Sequence, residues 1–95
     1  HIVLKGMEDF VTSDMGETFL NTTGNSGMTV GGSGDVLSGF IASLMAQGCD
    51  AFAAARAATY IFGLVGEKLY KEKGYGYTAT DLARAIPEVA RKLIA

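Results

Sequence analysis

Cysteine, histidine and proline each occur once in these 95 residues, and positive charge is sparse. The lone cysteine, Cys49, excludes an intrachain disulfide framework, and between Gly48 and Asp50 it reads as incidental rather than catalytic. A reducing, cytoplasmic setting is the default expectation. With His1 as the only histidine and no Cys/His cluster at ligand spacing, neither a zinc site nor a Ser-His-Asp arrangement can be built from this chain. Eight Lys and Arg are scattered among ten Asp and Glu for a net charge of −2. A general polyanion binder needs a basic face, so nucleic acid is not an expected partner, and any phosphate binding must be local. No apolar run reaches the roughly 18 residues that span a bilayer, and His1-Ile2-Val3-Leu4-Lys5 lacks a signal-peptide layout, so no membrane is expected. There is no internal repeat or low-complexity tail. The chain opens on a strand-like run without a preceding Met, which reads as a fragment boundary.

What is present is a globular balance of 48% hydrophobic and 19% charged residues, enough for one domain at most with a modest core. Thirteen glycines are available, and the densest group lies in Asn21 to Gly39, with Gly31-Gly32-Ser33-Gly34-Asp35 at its centre. There a glycine-rich loop opens directly into an apolar run. The free N–H groups of a helix starting at that point would face outward, where the macrodipole favours negative charge. Glycine lets backbone approach a phosphate with no Cβ in the way, so Gly31, Gly32, Ser33 and Gly34 form a candidate anion hole. Asp35 falls in the first helical turn, a carboxylate beside a phosphate cradle and hence a candidate base. Taken bare, the same five residues are equally a flexible turn with Ser33 and Asp35 as capping residues.

The wider run tips the balance. Asn21-x-x-Gly24-Asn25-x-Gly27-Met28-x-x-Gly31-Gly32-Ser33-Gly34-Asp35-x-Leu37-x-Gly39 resembles the signature of the ADP/ATP-dependent NAD(P)H-hydrate dehydratases, a branch of the ribokinase-like superfamily. The resemblance extends from Ile2-Val3-Leu4-Lys5-Gly6 to Asp81-Leu82 and Ile86-Pro87. It implies the C-terminal third of a ribokinase-like three-layer α/β/α domain: a strand, a β-hairpin, then three to four helices. It also implies a nucleotide held by Lys5, Gly6, Met7, Glu8 and Asp9, and by Asn21, Gly24, Asn25 and Gly34. Asp35 would touch the hydrated NAD(P)H substrate and act as base. ADP or ATP is the implied co-substrate, with a nucleotide-borne Mg2+. The implied partners are the remainder of the domain N-terminal to His1 and, in the full protein, further copies in a homo-oligomer. Members of the family often have His where Phe62 stands and Asp where Glu67 stands.

Taken in order, Ile2-Val3-Leu4 is a continuous apolar run that predicts a buried strand, closed by Lys5-Gly6 at the end that faces the ligand crevice in open α/β sheets. Phe10-Val11-Thr12 and Thr18-Phe19-Leu20 flank Ser13-Asp14-Met15-Gly16 and predict a hairpin at an edge of the sheet. Asn21 to Gly27 is a polar loop expected to lie against the anion site. From Asp35 to Ala46 the residues Val36, Leu37, Phe40, Ile41, Leu44 and Met45 recur at helical spacing. Small residues opposite them, Ser38, Gly39, Ala42, Ser43 and Ala46, predict burial on a second side. Asp50 is placed to cap a helix from Ala51 to about Lys73, packed through Phe52, Ala55, Thr59, Phe62, Val65 and Leu69. Thr80-Asp81 begins a last helix, which Pro87 should break or restart before an amphipathic segment from Glu88 to Ala95.

Three functions compete at this point. One is a dehydratase fragment that phosphorylates the ring hydroxyl of hydrated NAD(P)H and then eliminates phosphate. Another is a small-molecule kinase of the same superfamily, which shares the Gly-Asp core but stops at the phosphorylated product; the Thr23-Gly24-Asn25-x-Gly27-Met28 lead-in resembles the dehydratases instead. The third is a non-catalytic packing or assembly module. In each case the isolated chain is expected to be inactive.

Overall fold

A computed structural model describes residues 1–6, 8–28 and 30–94. Met7, one of the expected nucleotide contacts, lies outside the described residues. Three short strands, β1 (Ile2–Leu4), β2 (Asp9–Thr12) and β3 (Thr18–Asn21), are followed by a 3-10 turn (Ser26–Met28) and three helices, α1 (Ser33–Ala46), α2 (Ala51–Lys73) and α3 (Ala79–Ile94). The sheet is antiparallel throughout in the order β1-β2-β3, so β2 is central and β1 and β3 form its edges. The expected hairpin is β2–β3. Its connection closes where the Ser13 N–H donates to the Glu17 carbonyl at 2.9 Å, while the Ser13 Oγ accepts from the Met15 and Glu17 N–H groups.

Pairing puts Val3, Val11 and Phe19 in one row and Leu4, Phe10 and Leu20 in the next, and strand pleating points those rows to opposite faces. The Val11 face, which also carries Asp9 and Asn21, lies on α2. The opposite face is bare: Ile2 is 65% and Leu4 62% exposed, with Phe10 and Leu20 also open. This corrects the expectation of a buried β1. A doubly apolar strand is buried only when both faces are covered, and α2 covers one.

α2 is the hub, and it runs over the expected residues. The Asp50 carboxylate accepts from the Ala53 N–H at 2.9 Å, and the helix stops at Gly74. Ala58, Ile61, Phe62, Val65 and Leu69 share a core with Leu37 and Phe40 of α1, Leu82 of α3 and Tyr77. Val36, Ile41 and Leu44 pack at its margin. The small-residue face of α1 is exposed from Ser38 to Ala46, contrary to the burial expected for it.

α3 starts earlier than Thr80. Thr78 and Asp81 exchange bonds in a capping box, the Thr78 N–H donating to Asp81 Oδ2 at 2.9 Å and the Asp81 N–H to Thr78 Oγ1 at 3.2 Å. Pro87 does not break the helix, which corrects the second expectation there. The proline and Ala83, whose carbonyl loses its partner, are both exposed to water, while Ile86, Val89 and Ala90 hold the helix to the core on the other side.

Candidate functional site

The N-terminus of α1 is shaped by Gly32. It sits at φ 91°, a left-handed conformation that costs glycine nothing, and it caps the helix with no side chain. The turn before it is closed by the Ser33 N–H on the Val30 carbonyl at 3.2 Å, and the helical ladder begins with the Val36 N–H on the Gly32 carbonyl at 3.1 Å. Between those two bonds lie the N–H groups of Gly34 and Asp35, at the positive end of the helix dipole. One N–H of the expected four-residue cradle, that of Ser33, is therefore committed to the turn, and Ser33 does not cap. Asp35 stands in the first turn with an exposed side chain.

The end of β1 is tied down by a buried carboxylate. Asp9, 5% exposed, accepts from Lys5 Nζ at 2.9 Å, from Asn21 Nδ2 at 3.0 Å and from the Gly6 N–H at 3.4 Å. Asn21 is buried beside it. Its amide also donates to the Thr59 carbonyl on α2 at 3.2 Å, and its oxygen accepts from Thr23 Oγ1 at 2.9 Å. Both residues spend their polar capacity inside the protein, pinning β1 and the end of β3, with the 22–25 loop that follows, to α2.

That loop lies against α2 because two helix positions lack side chains. A Cβ on Gly63 would overlap the Thr23 side chain, and one on Gly66 would overlap the Met28 thioether. The Gly24 N–H donates to Glu67 Oε2 at 2.8 Å. Asn25 donates to the Gly66 carbonyl at 2.9 Å, and its oxygen accepts from the Gly27 N–H at 3.0 Å and from the Tyr77 hydroxyl. Burial raises the pKa of the Tyr77 phenol above its ordinary value.

Between the β1 end, this loop and the α1 terminus is a cavity of about 610 Å3, within the roughly 300–1,000 Å3 typical of small-molecule sites. Lys5, Gly6, Asp9, Gly24, Asn25, Ser33 and Gly34 line it, so seven residues singled out in the sequence converge. Asn21 lies behind the wall; Glu8, Gly31, Gly32 and Asp35 are exposed and do not line the cavity. Thr23, Met28, Leu37, Phe62 and Gly63 complete the lining. Leu37 and Phe62 read as packing residues by spacing, Leu37 also as part of the signature run and Phe62 as the position where family members often have His. Gly63 and Gly66 carried a usable signal, two glycines three apart inside an alanine-rich helix. A cavity with an apolar wall, the Lys5–Asp9 ion pair and a helix N-terminus suits an amphiphilic anion. Among the described residues no group of three His, Cys, Asp or Glu could hold a metal ion, and no helix is long and apolar enough to cross a membrane.

A family model described as NAD(P)H-hydrate dehydratase matches residues 1–88. The chain belongs to that family. A bifunctional NAD(P)H-hydrate repair enzyme, Nnr, of Archaeoglobus fulgidus is 51% identical over 87 residues, which is 92% of this chain and 18% of the relative. ADP-dependent (S)-NAD(P)H-hydrate dehydratases of Cenarchaeum symbiosum and Haloterrigena turkmenica are 46% and 42% identical over 90 residues, 95% of this chain and 31% and 35% of those proteins. The chain thus spans between about a fifth and a third of the length of these family members. All seven of the converging residues lie within the matched span.

Proposed function

We propose that this chain is the nucleotide-binding and catalytic-base part of an ADP-dependent dehydratase that restores hydrated NAD(P)H, and that it forms the C-terminal part of a ribokinase-like three-layer domain. The observation that carries this reading is the single cavity in which Lys5, Gly24, Asn25 and Gly34 meet at the start of α1. Leu37, Met28 and Phe62 offer an apolar wall to a nucleoside, and the Gly34 N–H, with Lys5 on the same cavity, offers a terminus to its phosphates. Asn21 acts behind that surface by fixing it, and Asp9, on the lining itself, holds Lys5 and Gly6 in place.

In this reading Asp35, beside the helix terminus, takes the proton of the ring hydroxyl. The hydroxyl oxygen attacks the terminal phosphorus of ADP, whose bond to the bridging oxygen breaks, and AMP leaves. The phosphate then departs from the ring carbon with its electron pair, a neighbouring ring proton is lost, and the dihydronicotinamide double bond returns. Positioning and charge neutralisation supply most of the acceleration, as in phosphoryl transfer generally. ADP is favoured because two relatives are named for it; ATP is the second candidate. The described residues alone do not fit a metal site, so a Mg2+ would be carried by the nucleotide phosphates.

The remaining polypeptide of the domain is the proposed partner. The family members are several times longer than this chain, and the bare apolar face of Ile2, Leu4, Phe10 and Leu20 is what such a layer would cover. A cytoplasmic homo-oligomer is the proposed state of the full protein.

Replacing Asp35 by Asn in the completed domain tests the chemistry. Gly32 caps α1 without a side chain, so the fold has no stake in Asp35 as a cap. Turnover of hydrated NADH should fall about 10²- to 10⁴-fold while ADP affinity changes little. Near-native turnover would remove Asp35 from the mechanism, and a stable phosphorylated product with no return of dihydronicotinamide absorbance would make the enzyme a kinase.

A further inference from the structure

We infer that Tyr77 is a positioning residue of the nucleotide cavity, acting through Asn25; this rests on the nucleotide reading of that cavity. Tyr77 is 2% exposed and stands in the loop between α2 and α3, 52 residues along the chain from Asn25. Its hydroxyl meets Asn25 Oδ1 at 2.5 Å. The orientation of the Asn25 amide is decided by its other partners. The Gly27 N–H can only donate and the Gly66 carbonyl can only accept, so the oxygen faces Gly27 and the nitrogen faces Gly66. Tyr77 must therefore donate to an oxygen that already accepts one bond.

The result is a cavity wall held by three tethers, two to α2 and one to the α2–α3 loop. Gly24 is tied to Glu67, Asn25 nitrogen to α2, and Asn25 oxygen to the α2–α3 loop. Without the phenol hydroxyl, Asn25 keeps two of its three partners among the described residues and gains freedom to rotate, so the surface offered to a nucleotide is no longer set in advance. Lost preorganisation appears in affinity rather than in the chemical step. Tyr77 touches no reacting atom and is absent from the cavity lining.

The test is Tyr77→Phe, which removes one hydroxyl and keeps the buried ring, in the complete protein that carries this segment. The dissociation constant and KM for ADP should rise about three- to tenfold, the span of one lost hydrogen bond, with kcat within about twofold. Amide exchange at Gly27, which donates to the same Asn25 oxygen, should speed up while that of Phe62 in the core does not. In an Asn25→Ala background the Tyr77→Phe substitution should have no further effect on ADP affinity. Unchanged affinity and unchanged Gly27 exchange would reduce Tyr77 to fold support and overturn the inference while leaving the nucleotide reading intact. Full additivity with Asn25→Ala would also overturn it. Failure of the unsubstituted protein to bind ADP would instead remove the nucleotide reading, and the inference with it.

Discussion

Gly63 and Gly34 are both glycines at the cavity, and their surroundings predict opposite outcomes for alanine. A Cβ at Gly63 would overlap Thr23 and come within 2.7 Å of the Thr23 carbonyl carbon, so part of the clash is with backbone that no rotamer change relieves. Gly63→Ala should cost about 1–3 kcal/mol in denaturant unfolding, and it should weaken ADP binding by pushing out the Thr23–Gly24 wall. At Gly34 nothing among the described residues lies within 4 Å of the added carbon. Gly34→Ala should leave stability unchanged or slightly raised, because alanine is the better helix former, while ADP affinity falls as the methyl obstructs the phosphate approach. Equal affinity for ADP in the Gly34 variant would take the α1 terminus out of the site. The glycine run and Asp35 were legible in the sequence because a loop opening into a helix is a local pattern. The work of Asn21 was not: its partners Asp9 and Thr59 lie 12 and 38 residues away, and nothing in a polar loop announces that its first residue is buried.

At the scale of elements, α3 offers a pH test. Hydrogen bonding from the Thr78 N–H, with Lys73 nearby as a lesser contributor, holds the Asp81 carboxyl below its ordinary value of 3.8. Because the folded-state value is the lower one, the carboxylate's contribution is complete above the unfolded value and is lost as pH falls through the folded one. Protection of the Thr78 amide should therefore decline on going from about pH 5 to about pH 2, and Asp81→Ala should abolish that dependence. A flat profile in the unsubstituted chain would contradict the capping box. Helix boundaries were legible because caps and periodicity are short-range, as at Asp50 and Gly74. Pro87 departs from the break expected of it because a proline's local cost is set against packing by Leu82, Ile86 and Val89, which becomes apparent only when α3 lies on the core.

The whole molecule has a core on one side of its sheet and an open apolar face on the other. Burial of β1 and of the small face of α1 could not be decided from sequence, since each depends on what lies across from it rather than on the residues themselves. The convergence of Lys5-Gly6 with Gly24-Asn25 and Ser33-Gly34 is likewise a property of the fold, although each segment was visible alone. By itself the 95-residue chain should not turn over hydrated NADH, and its exposed Ile2, Leu4, Phe10 and Leu20 should promote self-association that Leu4→Lys reduces, as read by light scattering. The measurement closest to the central claim is an ADP titration followed by backbone amide NMR. Saturable shifts at Gly6, Gly24, Asn25 and Gly34 are the predicted result. Binding that instead perturbs the separate cavity beside Asp14, Phe52 and Arg56, or no saturable shift at all, would contradict the account.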